Sequence, residues 1–308
     1  MKVCPYDVFF KNCELKQSLR KIISPFRLEE FFFLFLFAPV LLFSLSKSSH
    51  SFDLFTQEFI TLSSAIILLF ISILIKNRFF KILRECLLII FIYSIYVNLY
   101  HLIPFLNPKD TDQILLRIDQ FIFGIQPSVW MQRIMFRGLT DYLIICYSFF
   151  YFYPVIFALI LYFNRGYSDF RRLANSLILC FYLGYIGYIL VPAIGPRYTI
   201  EDQYAKPIEA SVVTNTLFTT LDRLETTKRD CFPSLHNAIT LLVLLFAFKY
   251  QRKFFFFFLP IASGLFLGTI YLRVHYFVDL LSGFILGLIC FVLTADLYKK
   301  WEENRIGV

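Results

Sequence analysis

Eight apolar runs, each long enough or nearly long enough to cross a lipid bilayer, constrain the fold of this chain more than any other feature. They lie at about residues 31–46, 59–75, 85–106, 142–163, 173–192, 233–248, 254–271 and 276–297. Hydrophobic residues make up 58% of the chain, which excludes both a soluble globule and a disordered chain. The pattern predicts an all-α, polytopic membrane protein with about eight transmembrane helices. The first run follows polar-rich residues 1–30 and has no A-x-A cleavage signal, so we interpret it as a retained helix.

The distribution of charge predicts the orientation in the membrane. With eight spans, both termini share one side, and the segments on that side hold 19 of the 30 Lys and Arg residues. The opposite side holds the other 11, together with 13 of the 22 acidic residues. Because basic residues favour the cytoplasmic side, both termini are predicted to be cytoplasmic. The net charge of +8 then reflects loops that face anionic lipid headgroups, and no nucleic-acid partner is needed to explain it.

Two histidines and an aspartate lie at the ends of apolar runs. His275 precedes Asp279 by four residues, so on a helix both share one face, and the carboxylate can hold the imidazole in one tautomer. Such a histidine can act as a nucleophile. His236 begins another run and could protonate a leaving oxygen, then accept a proton from the attacking hydroxyl. Together these residues indicate phosphoryl transfer through a phosphohistidine, and eight spans would place them at the non-cytoplasmic face.

Three other interpretations use the same residues. The histidine and aspartate could be a packed polar pair within a membrane helix. They could form a proton relay in a transporter or channel, for which inverted repeats and helices broken at the bilayer midplane are expected, and the sequence suggests neither. A metal site is disfavoured because Arg197 and Arg273 would repel a divalent cation. We therefore predict no metal and no cofactor.

Several motifs carry a resemblance to a known family. The segment PSLH at 233–236 and the pair His275-x-x-x-Asp279 resemble the second and third signature motifs of the type 2 phosphatidic acid phosphatase superfamily. Within it, GPRY at 195–198 and TIYLRVHYFVDLLSG at 269–283 resemble the branch that contains inositol phosphorylceramide synthases. The resemblance covers about residues 85–297 and implies a six-helix catalytic core. It divides the chain into a cytoplasmic tail with two extra helices (1–80), the core (81–298) and a cytoplasmic tail (299–308).

The resemblance also implies roles for individual residues. It makes His275 the nucleophile, Asp279 its orienting carboxylate and His236 the acid that protonates the leaving group. Ser234 and the free N–H groups behind Pro233 would form a phosphate cradle at a helix amino terminus.

The chain departs from the family pattern at two basic positions. The lysine of the first motif is absent from the stretch SLILCFYLGYIGYILV, and Thr269 stands where the third motif has arginine. We expect Arg197 and Arg273 to bind the phosphate oxygens instead, since each offers a planar fork of donors.

The implied function is a metal-independent lipid phosphatase or phosphotransferase in the membrane, with phospholipid or sphingolipid substrates. Both reactions use the same intermediate, so the residues do not decide whether water or an alcohol accepts the phosphoryl group. GPRY and HYFVD favour the inositolphosphotransferase-like branch.

The remaining segments are predicted to surround or support the site. Residues 107–141 are predicted to form one or two interfacial helices on the outer leaflet, and residues 193–232 to cover the site. Lys228 and Arg229 are expected to be solvated loop charges. Two pairs of glycines should permit close helix packing: Gly264 with Gly268, and Gly283 with Gly287. The seven cysteines show no disulfide or zinc pattern.

Overall fold

The computed structural model describes residues 26–33, short stretches between 60 and 75, residues 77–225 and residues 227–306. Throughout these ranges the regular structure is helical, which confirms the all-α prediction. Within residues 77–225 and 227–306, nine helices have more than five residues: α2 (Arg78–Leu106), α3 (Asp112–Phe123), α5 (Arg137–Ser148), α6 (Tyr153–Arg165), α7 (Tyr167–Leu190), α9 (Val212–Leu224), α10 (Leu235–Tyr250), α11 (Arg252–Tyr271) and α12 (Phe277–Ile306). Shorter helices are α1 (Leu28–Phe32), α4 (Pro127–Trp130) and α8 (Pro196–Thr199), with 3₁₀ turns at Met131–Ile134, Phe149–Tyr151 and Glu201–Gln203.

Four of these helices contain segments long and apolar enough to cross a membrane: Leu83–Leu106, Tyr167–Leu190, Arg252–Tyr271 and Phe277–Glu303. The bent pair α5 and α6 makes a fifth if it counts as one span. Helix α10 is apolar but has only 16 residues. The predicted spans at 31–46 and 59–75 fall largely outside the described residues, so eight spans and a six-helix core remain predictions.

The predicted span at 142–163 is not one straight helix. Helix α5 ends at Ser148, a 3₁₀ turn follows, and α6 sets off at an angle of 53°. Pro154 lies in the first turn of α6, where a missing N–H loses no hydrogen bond. In the middle of one continuous helix its ring would clash with the preceding turn. The bend places Phe150 beside His236, with ring centroids 4.4 Å apart.

Glycines bring the two helices that carry the histidines into backbone contact. A β-carbon at Gly283 would lie 2.4 Å from the carbonyl oxygen of Ser234, and one at Gly287 would lie 2.8 Å from that of Ala238. Helices α10 and α12 can therefore pack this closely only with glycine at these positions, as the small-residue pattern predicts.

Ion pairs hold the short helix α1 against the end of the bundle far from the histidines. Glu29 and Glu30 are almost fully buried. The guanidinium of Arg171 binds Glu29, and that of Arg84 lies 2.6 Å from Glu30. Arg171 also lies 3.0 Å from Glu85 on α2. Because a buried charge must be paired, this network fixes α1 to α2 and α7.

Two amphipathic helices lie at the other end of the bundle. Helix α3, in the predicted interfacial segment, is followed by Gly124, whose left-handed φ of 70° suits a glycine. Ser211 lies directly before α9 and caps it, because its hydroxyl accepts a hydrogen bond from the amide of Thr214. The segment 193–232 is therefore partly helical and is more ordered than the sequence suggests.

Candidate active site

The predicted nucleophile and its carboxylate face each other at the start of α12. Nδ1 of His275 lies 3.5 Å from Oδ2 of Asp279, and both side chains are buried. His275 precedes the helix, whereas Asp279 lies in its first turn. The same carboxylate oxygen accepts the amide of Tyr276 at 3.0 Å. These contacts orient the imidazole so that Nε2 points away from the aspartate.

The second histidine meets that free nitrogen. Nδ1 of His236, in the first turn of α10, lies 3.4 Å from Nε2 of His275. The ring of His236 packs between aromatic rings, with centroid distances of 4.7 Å to Tyr147 and 4.4 Å to Phe150. Nε2 of His236 is buried and has no protein hydrogen-bond partner. Two chain segments thus bring the two imidazoles into contact, and Nε2 of His236 has no hydrogen-bond partner in the described part of the protein.

Ser234 lies beside the histidines but is engaged in the local structure. Its hydroxyl caps α10, accepting hydrogen bonds from the amide of Asn237 at 3.4 Å and from its side-chain nitrogen at 2.9 Å. Its own amide donates to the carbonyl of Asp279 at 3.3 Å. In this structure Ser234 joins α10 to α12 and does not line the cavity described below.

The two arginines meet through the main chain. The amide of Arg197 donates to the carbonyl of Arg273 at 2.9 Å. Nη1 of Arg197 lies 2.9 Å from Asp222. The guanidinium of Arg273 stacks 3.9 Å above the ring of Tyr204 and donates to the carbonyl of Lys206. Nε of Arg273 is buried without a protein partner, so it keeps a donor available.

One cavity joins the histidines to both arginines. Its wall comes largely from the segment 193–232, as predicted for a segment that covers the site. The lining residues are Tyr147, Ile194, Arg197, Tyr198, Asp222, Glu225, Lys228, Asp230, Cys231, His236, Arg273, Val274 and His275.

Lys228 differs from the expectation of a solvated loop charge. Its ammonium lies 3.0 Å from the carboxylate of Asp222, which it shares with Arg197 at the cavity wall. Burial acts to raise the pKa of Asp222, but the hydrogen bond from Lys228 and the charge of Arg197 lower it below its usual value. Arg229 is also paired, 2.8 Å from Asp110.

Tyrosine hydroxyls meet two further acids of the cavity. Tyr96 donates to Asp230 at 2.9 Å, and Tyr151 donates to Glu225 at 3.0 Å. Burial and the nearby charge of Glu225 raise the pKa of Asp230 to about 7. Asp230 can therefore gain or lose a proton near neutral pH.

Cys231 belongs to the site, although its sequence context gave no signal. Its thiol lies 2.7 Å from Oδ2 of Asp279 and 3.5 Å from Nδ1 of His275. The possible metal-ligand atoms of Cys231, His275 and Asp279 lie within 4.8 Å of one another, which is close enough to hold a metal ion. Burial and the charge of Asp279 raise the pKa of the Cys231 thiol well above its usual value. A protonated thiol is a poor metal ligand, because metals bind the thiolate.

The described fold and site define an integral-membrane protein in which two histidines, the buried His275 and the partly buried His236, lie beside two arginines. Comparison with protein families matches residues 113–293, more than half of the chain, to the PAP2 superfamily. The chain belongs to this superfamily, which confirms the resemblance found in its motifs.

Among curated proteins, the chain is similar to inositol phosphorylceramide synthase of Candida albicans (strain SC5314 / ATCC MYA-2876). The two are 39% identical over 77 residues, which is 25% of this chain and 16% of that protein. The similarity thus covers only a small part of the relative's length. No solved structure matches the chain.

Proposed function

We propose that this protein is a membrane enzyme that transfers the phosphoryl group of a phosphoester lipid by way of His275. The observation that carries the proposal is the position of His275, with one ring nitrogen 3.5 Å from Asp279 and the other 3.4 Å from His236. An imidazole held in this way presents a lone pair on Nε2 at the cavity, next to a second imidazole that can carry a proton.

In the proposed first step, Nε2 of His275 attacks phosphorus, and the bond between phosphorus and the lipid oxygen breaks. His236, protonated at the start, gives its proton to that leaving oxygen. Arg197 and Arg273 stabilise the charge on the remaining phosphate oxygens. Arg197 is paired with Asp222 in this structure and would exchange that carboxylate for the phosphate.

In the second step, the oxygen of an acceptor hydroxyl attacks phosphorus, and the bond between phosphorus and Nε2 of His275 breaks, which frees His275. The hydroxyl proton passes to His236, which lost its own proton in the first step. Water as acceptor gives a phosphatase, and a lipid alcohol gives a phosphotransferase. The named relative is an inositol phosphorylceramide synthase, and this favours a transferase whose substrates carry an inositol headgroup. The short extent of that similarity leaves the acceptor to experiment.

The proposal includes the topology predicted from charge. Arg84, Arg165, Arg171 and Lys249 lie at the ends of their helices away from the histidines. We place that end at the cytoplasm, with both termini, and the histidines at the opposite face.

The test is a rapid-quench experiment on purified protein with phosphorus-labelled phosphatidic acid and, separately, labelled phosphatidylinositol. We expect an acid-labile, base-stable label on wild-type protein and none on His275→Ala. Label on His275→Ala at the wild-type level would contradict the mechanism. Repeating the incubation with and without ceramide, followed by mass spectrometry of the lipids, identifies the acceptor.

A further inference from the structure

Helix α3 carries two buried carboxylates that the proposed chemistry does not use. Asp112 and Asp119 are seven residues apart, and therefore lie on the same side of the helix. They are 3% and 1% exposed, whereas the other side of α3 exposes Ile114, Ile118 and Phe121. On the surface of a soluble protein, the apolar side of such a helix would face the interior and its acidic side would face water. The buried acids must have partners inside the molecule.

Asp112 binds the segment that carries Arg197. One of its oxygens accepts the amide of Gly195 at 2.9 Å and the hydroxyl of Tyr276 at 2.7 Å. Gly195 lies two residues before Arg197, and Tyr276 directly follows His275. A single carboxylate therefore links the phosphate-binding segment to the segment of the nucleophile.

Asp119 binds the beginning of α12. Its two oxygens accept the amides of Phe277 at 2.7 Å and Val278 at 3.0 Å. Amides in the first turn of a helix have no partner within the helix, and a side-chain oxygen usually supplies one. Here that oxygen comes from a different helix, and its negative charge also suits the positive end of the helix dipole. Asp119 thus fixes the turn that contains Asp279.

We infer that Asp112 and Asp119 are positioning residues, which hold Arg197 and His275 at the separation that phosphoryl transfer requires. The inference rests on the proposed function. Neither carboxylate lines the cavity, so both would act from outside it. Both act through the backbone and Tyr276, and α3 serves as a brace between the two segments. Misplacing reacting groups by about 1 Å can slow an enzyme about 100-fold, so small shifts of either segment matter.

The experiment compares Asp112→Asn and Asp119→Asn with wild-type protein. Asparagine keeps the size of the side chain but removes the charge and replaces one acceptor oxygen with an NH₂ group, which would face an amide donor. We expect kcat to fall about 10- to 100-fold, with slower labelling of His275 in rapid quench and KM within about threefold of wild type, because the binding groups remain.

The control is Asp202→Asn, the same change at an exposed residue of the segment that covers the site, and it should leave kcat unchanged. Folding is checked by gel filtration and thermal unfolding in the same detergent. Asp119→Glu keeps both oxygens but moves them by one methylene, and kcat should lie between those of wild type and Asp119→Asn.

Two outcomes would overturn the inference. The first is wild-type kcat in both asparagine variants. The second is a loss of kcat that matches the loss of folded protein, since that would give the acids a purely structural role. His275→Ala is measured in parallel: if it is inactive while Asp119→Asn is normal, only this inference fails. If His275→Ala is active, the proposed function itself fails.

Discussion

At the scale of single residues, the site contains two kinds of group. Some are close together in the sequence, and others come into contact only when the chain folds. His275 and Asp279 are four residues apart, so the sequence predicts their contact, although His275 lies just before α12 and not within it. Asp230 is different, because its partner Tyr96 lies 134 positions away. No local pattern reveals such a contact, and this is why the sequence could not say which acid of the covering segment matters.

The raised pKa of Asp230 predicts how stability depends on pH. The pKa rises from 3.8 to about 7 because of burial and the charge of Glu225, while Tyr96 and His275 act in the opposite direction. When the pH lies between these two pKa values, Asp230 is protonated in the folded protein but ionised in the unfolded chain. Asp230 therefore contributes stability at low pH that is lost as pH rises toward 7. Thermal unfolding from pH 5 to 8 should show wild-type protein losing stability relative to Asp230→Asn, and parallel curves would contradict this.

Arg273→Lys tests the geometry of the phosphate site. Lysine keeps the charge but cannot both stack on Tyr204 and donate to the carbonyl of Lys206 as the planar guanidinium does. We expect kcat/KM to fall by about 10²-fold, the scale seen when one stabilising donor is removed. The exposed Arg223→Lys is the matched control. Wild-type kcat/KM in Arg273→Lys would mean that charge alone suffices.

The positive side chains at the cavity also predict that activity survives chelation. Arg197, Lys228 and Arg273 can neutralise the phosphate oxygens directly, which is the role that divalent ions fill in other phosphoryl-transfer enzymes. Turnover measured with and without EDTA should be equal. Loss on chelation, followed by recovery with magnesium or zinc, would overturn the proposed mechanism even if both histidines proved essential.

At the scale of helices, close packing of α10 against α12 sets the distance between the histidines. The glycine pairs were visible in the sequence, because small residues four apart share one helix face. The bend between α5 and α6 was not, although Pro154 marks its position. The hydropathy of residues 142–163 shows that they are apolar, but it does not distinguish a straight helix from a bent one. The helix α9 was missed for a related reason, since its polar surroundings resemble a loop.

Gly283→Ala tests the helix contact. Its new methyl group would lie 2.4 Å from the carbonyl oxygen of Ser234, so α12 must move away from α10. We expect a loss of about 1–3 kcal/mol in stability, typical of overpacking, and lower kcat because the histidines separate. In Gly268→Ala the nearest atom would be 3.4 Å away, an ordinary contact, so this variant should resemble wild type. Equal effects of the two changes would contradict the packing argument.

At the scale of the whole molecule, the proposed topology predicts which surface is accessible from outside the cell or organelle. Glu209→Cys, in the covering segment, should react with a membrane-impermeant thiol reagent in intact cells or sealed vesicles. Lys253→Cys, at the opposite end of the bundle, should react only after permeabilisation. Both positions are exposed, and Cys86, an exposed native cysteine, is replaced first. The reverse pattern would place the histidines on the cytoplasmic side.

The shortness of α10 sets the depth at which the proposed reaction occurs. Its 16 residues span about 24 Å, whereas the hydrocarbon core of a bilayer is about 30 Å thick. With Lys249 and Tyr250 at the cytoplasmic surface, His236 at the other end stops several ångströms short of the far surface. A lipid can bring its phosphate to that level without leaving the bilayer. A water-soluble phosphate ester would have to descend from the aqueous phase, so the short helix favours substrates that stay anchored by their chains.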